Sequence, residues 1–132
     1  MHSLRVFPII AWIAIPTVMY GGYALLGFLT RGGLTPFQQT YFRAGHAHAG
    51  VLLLMSLLYH YYMEQTNLSP TTKLAASAIV LVGILAQSGG FFLHLVIGQP
   101  GARSLGTTIT GLGAVLLVVS ILILVYGLIT AK

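Results

Sequence analysis

The chain has 132 residues, 57% apolar and 5% charged, and its six basic and one acidic side chains leave a formal net charge of +5. A soluble domain carries about 25% charged residues, and a disordered segment is rich in charge and poor in apolar groups, so both classes are excluded. The basic residues are scattered and form no patch, so the partner expected is the lipid bilayer and not nucleic acid. Cysteine is absent and Glu64 is the sole acid. Thiolate chemistry, disulfides, paired-carboxylate catalysis and a carboxylate proton relay therefore lack their residues.

In chain order, the first apolar run covers 6–31. It is too long for the apolar region of a signal peptide and no small-residue cleavage site closes it. It reads as a membrane helix kinked at Pro16 and stopped by Gly32 and Gly33. Thr35-Pro36-Phe37-Gln38 opens a second helix, 36–64, with Thr35 as N-cap, Pro36 at N1 and Gln38 closing a capping box. Ser69-Pro70 repeats the device for a third, 70–98. Gln99-Pro100-Gly101 makes a turn, and Ser104 starts a fourth, 104–130. A span takes about 20 residues, so four spans nearly exhaust the chain. The expectation is an all-α integral membrane protein: a single domain, 1–132, folded as an antiparallel bundle of four transmembrane helices.

That topology puts Arg31, Arg43 and Arg103 on one side of the membrane, with Arg5, Lys73 and Lys132 on the other. The balance leans slightly towards both termini in the cytoplasm, and the chain is expected as a multi-pass protein of a bacterial inner membrane.

Histidine is the one metal-binding side chain present in number. His46 and His48, early in the second helix, share a leaflet with His94, late in the third, and an ionisable residue inside a span points to function. His46 and His48 lie about 200° apart around their helix and cannot chelate one ion from it. His60 returns to the His46 face but on the far leaflet, among Tyr59, Tyr61 and Tyr62, where an aromatic belt accounts for it. His2, near the terminus, is read as inert. The competing account of every buried histidine is a polar packing group that hydrogen-bonds between helices.

Small residues flank these histidines: Ala49 and Gly50 on the second helix, Gly89 and Gly90 on the third. They permit close helix packing or leave room for a flat group. A b-type haem needs a histidine nitrogen, small residues where the macrocycle passes, and cationic or amide partners for its propionates. His46 and His94 are the expected ligands, with His48 a third ligand or their support, and Arg43, Gln38 and Gln87 in the cofactor site. Copper or zinc on His46, His94 and His48 is the alternative.

The segment Arg43-Ala44-Gly45-His46-Ala47-His48-Ala49-Gly50, running into Val51-Leu52-Leu53-Leu54, resembles the low-spin-haem-ligand helix of the haem–copper oxidase superfamily, nearest to nitric oxide reductase and cbb3-type catalytic subunits. The resemblance covers residues 43–54 and implies haem ligation by His46. It does not imply oxygen or nitric oxide reduction, because the family's twelve helices and three-histidine copper site have no counterpart here. The expected function is electron transfer or gas sensing by a small membrane haem protein. A copper or divalent-metal protein, or an accessory subunit of a larger membrane complex, are the other readings. Gly21, Gly22 and Gly27 on the first helix, and Gly106, Gly111, Gly113 and Ala114 on the fourth, are expected to seat a homo-oligomer.

Overall fold

The computed structural model describes residues 4–131, so the reading of His2 lies outside the described residues. Four helices follow one another: α1 (Val6–Arg31), α2 (Pro36–Glu64), α3 (Pro70–Ile97) and α4 (Leu105–Thr130). No strand occurs among the described residues. The boundaries fall within a residue of those expected, because the capping chemistry is local. The Thr35 hydroxyl accepts from the Gln38 N–H at 3.3 Å, and the Gln38 side-chain oxygen accepts from the Thr35 N–H at 3.0 Å. Ser69 accepts from the Thr72 N–H ahead of Pro70. The α1 helix runs on through Pro16 and ends at Gly32, whose φ of 68° is the left-handed C-cap that glycine accepts without strain.

Three of the helices, α1, α3 and α4, are long and apolar enough to cross a membrane. The second falls short of that measure, which revises the expectation of four apolar spans. Its length suffices, but it carries Gln38, Gln39, Arg43 and three histidines.

Packing is most extensive between α3 and α4, then between α2 and α3, then between α1 and α2. No close approach joins α1 to α4, so α2 and α3 form the centre with one outer helix on either side. The core between them holds Leu53, Tyr59, Met63, Val80, Ile84 and Leu117. Buried serines lie among these residues with their hydroxyls turned onto their own helices: Ser56 donates to the Leu53 carbonyl and Ser120 to that of Leu117. Tyr59 is buried and donates to the Ser120 carbonyl at 3.0 Å, tying α2 to α4. It is not part of an interfacial aromatic belt as expected, although Tyr61 and Tyr62 beside it are exposed.

Glycines bring α3 and α4 to backbone contact. A Cβ on Gly90 would stand 2.6 Å from the Gly106 carbonyl oxygen, and one on Gly106 would meet the backbone of His94. Further along, Gly113 meets the Gln87 backbone, and a Cβ on Gly83 would lie 3.0 Å from the Leu117 side chain. Gly83 and Gly90 of α3 thus serve close helix packing, the first of the two roles open to them, whereas a Cβ on Gly89 would meet nothing within 4 Å. The same contacts correct the assignment of Gly106 and Gly113 to an oligomer face, since both are consumed inside the chain.

Candidate functional site

The three histidines expected to converge share a region of the molecule but face different neighbours. His94 is fully buried, at 1% exposure, with the rings of Phe37 and Tyr41 edge-on to it at 5.3 and 4.3 Å. Its Nδ1 lies 2.7 Å from the Ser104 hydroxyl, which itself accepts the Gly106 N–H at 3.0 Å. A serine hydroxyl has one proton and two lone pairs, so Ser104 accepts the Gly106 N–H and can equally give its proton to Nδ1 or accept one from it. Gly98 closes over the same ring, for a Cβ at that position would collide with it. His94 therefore anchors the start of α4.

His48 turns towards α3. Its ring centroid is 4.8 Å from that of Phe91, and its Nδ1 hydrogen-bonds the Ala44 carbonyl at 2.8 Å. His46 faces α1 instead: Cβ atoms built on Gly22 and Gly21 would lie 3.0 and 3.7 Å from its ring nitrogens. The α2 residues that meet His94 are Phe37 and Tyr41, and His46, five positions past Tyr41, is rotated about 140° from it. His46 thus lies about two turns further along α2 than the residues level with His94, and on another face. No group of three histidine or acidic side chains able to hold a metal exists among the described residues. His46, His48 and His94 form no such group, and the contacts of His46 and of His94 lie on different helices.

The expected propionate partners are dispersed as well. Gln38 spends its side-chain oxygen on the α2 cap. Gln87 lies against α4, where its carbonyl accepts from Thr110 at 3.4 Å. Arg43 is exposed.

A lone pair for a haem iron is available on Nε2 of His48, whose Nδ1–H is given to a carbonyl, and on His46. His46 is half-buried, and no hydrogen bond holds either ring nitrogen among the described residues. It lines an open groove of about 340 Å³ between α1 and α2 with Val18, Met19, Ala47, Gly50 and Leu54. A neutral imidazole with an unengaged nitrogen and small residues at its side satisfies the ligand requirement once. Met19, a thioether in the same groove, was not singled out by the sequence pattern, because its neighbourhood depends on how α1 rotates against α2.

His60 was also undervalued. It is 6% exposed, and its Nδ1 meets the Ser56 carbonyl at 2.5 Å, while Nε2 has no hydrogen-bond partner. The Ser77 carbonyl approaches the ring without reaching hydrogen-bond geometry. Ser88 Oγ is the other buried polar atom left unpaired. Nothing in the residue pattern announces such a vacancy, since a histidine one turn after a serine ordinarily reads as satisfied. Compared with known protein families, curated proteins and solved structures, the chain matches none.

Proposed function

We propose that the chain is an integral membrane protein, an antiparallel bundle of four transmembrane helices, that holds a b-type haem through His46 and serves electron transfer as a homo-oligomer. Large apolar side chains are exposed along all four helices, including Ile13 and Leu26 on α1, Leu54 on α2, Leu85 on α3 and Leu122 on α4. A surface this apolar is suited to lipid and not to water. The α2 helix, the most polar of the four, is shielded by α1 and α3, as expected for a span carrying function.

The observation that carries the reading is the state of His46: unbonded, in an apolar groove open to the outside, with Ala47 and Gly50 among its walls. One chain supplies one such ligand, so the second is the His46 of another copy across the same groove. Coordination by two histidines leaves no open iron position, and this favours electron transfer over gas binding. The resemblance of residues 43–54 to the haem-ligand helix of haem–copper oxidases singles out the same histidine.

A reduced-minus-oxidised visible spectrum of the purified protein tests this. Haem α and Soret bands are expected, lost in His46→Ala and retained in His94→Ala. A folded wild type without haem, or a His46→Ala variant with full haem content, would overturn it. The accessory-subunit reading is favoured by one observation, the internal hydrogen bonds of His48 and His94, and co-purification of other membrane subunits with a haem-free chain would establish it.

A further inference from the structure

We infer that a second site, around His60, binds a neutral hydroxyl-bearing amphiphile, its hydroxyl donating to His60 Nε2 and its hydrocarbon lying in the adjoining apolar cavity. With Nδ1–H donating to the Ser56 carbonyl, the imidazole is in the tautomer that carries a lone pair on Nε2. That acceptor is buried and unpartnered. The ring forms part of the wall of a cavity of about 420 Å³, together with Arg5, Trp12, Tyr61, Glu64 and Ser77. A serine hydroxyl left unpaired, such as that of Ser88, can rotate onto a carbonyl of its own helix. An imidazole already bonded through Nδ1 has no such recourse, and its partner must come from outside.

The walls select the ligand. Among the described residues, Arg5 and Glu64 are the only charged side chains around the cavity and oppose each other in sign, so a net charge on the ligand gains little and costs desolvation. A cation finds His60 and Glu64 one turn apart but no third histidine or acidic group among the described residues. A neutral donor remains.

The hydrocarbon part is placed by Phe7. Its ring stacks on the His60 imidazole, with centroids 5.8 Å apart and planes 4° from parallel. The same Phe7 lines a second cavity of about 530 Å³ between α1, α2 and α3, whose walls are aliphatic and aromatic apart from Thr17 and Ser88. One side chain thus separates an orphaned acceptor from an apolar chamber. It sits on α1, the helix with the fewest buried residues, Ala11 and Leu25. Such a helix yields most easily to an entering molecule.

The test uses the full chain in lipid nanodiscs, with ¹⁵N-labelled histidine and with Trp12, the single tryptophan, as a second reporter. The probes are decylhydroquinone, 1-decanol, and the dimethyl ether of decylhydroquinone, which has no donor. Decylhydroquinone is expected to move one unprotonated Nε2 resonance upfield and to change Trp12 emission saturably, whereas the diether leaves the resonance in place. His60→Phe should weaken binding about tenfold, the loss of roughly one hydrogen bond, while Val115→Ala on exposed α4 should not. Tighter binding of the hydroquinone than of decanol identifies an aromatic diol as the ligand, and equal binding identifies a lipid alcohol. Three results overturn the proposal: an equal resonance shift with the diether, unweakened binding in His60→Phe, or a His60 Nε2 already hydrogen-bonded in nanodiscs before any probe is added. The diether comparison needs no variant, so it stands even where His60→Phe fails to fold.

Discussion

Ser104 serves two partners at once: it accepts the Gly106 N–H as the N-cap of α4 and bonds His94 Nδ1 from α3. Replacing it by alanine removes the cap and leaves a buried imidazole nitrogen unpaired. Ser104→Ala should cost about 2 kcal/mol, measured as a lowered midpoint in a detergent unfolding titration, and Ser104→Thr should recover most of it. His94 also shows where sequence reasoning stops. Its depth in the membrane follows from counting residues to Gly98, and the structure agrees that it lies near the start of α2. Its direction does not follow, because that depends on which face α2 turns to α3, and this is set by the collision a Cβ at Gly45 would make with Phe91 and Phe92. His94 packs on Phe37 and Tyr41, about two turns nearer the start of α2 than His46, so neither a common level nor the neighbour each histidine faces was legible. His60 is the reverse case: its place among tyrosines is plain in the sequence, but an unpaired Nε2 is a property of packing alone.

At the level of the helix, caps and glycines play unequal parts. Each of the three later helices announces its start through Thr35, Ser69 or Ser104, chemistry contained within four residues, so its boundary can be read without any knowledge of the fold. Glycines are ambiguous until the helices are packed. Gly106 and Gly111 lie on the same helix five residues apart, yet a Cβ on Gly106 would strike the α3 backbone and one on Gly111 would meet nothing within 4 Å. Gly106→Ala should therefore force α3 and α4 apart and destabilise the protein by about 2 kcal/mol or more. Gly111→Ala should be neutral or stabilising by up to about 1 kcal/mol, the helix-propensity gain. The same unfolding titration separates them, and equal effects would mean that the α3–α4 seam is looser than described.

For the whole molecule, the membrane reading predicts the sidedness of the connections. The chain has no cysteine, so a single introduced thiol reports one position unambiguously. Thiols at Leu34 and Gln99 should react with an impermeant maleimide from one side of sealed vesicles, and one at Asn67 only from the other. Labelling of Asn67 and Gln99 from the same side would refute the four-span topology, most directly the crossing by α2, whose polar residues make it the least obvious span. The unequal packing of the helices also bears on how the chain is made. The α3–α4 seam, closed backbone to backbone, joins two helices translated after α1 and α2, which adhere to each other over less surface. During synthesis, α1 and α2 must persist in the bilayer with α2's histidines shielded on one flank only, until the later hairpin arrives to cover the other. That interval is when an insertion chaperone would have access to His48 and to the Tyr41 face, against which α3 packs in the finished bundle.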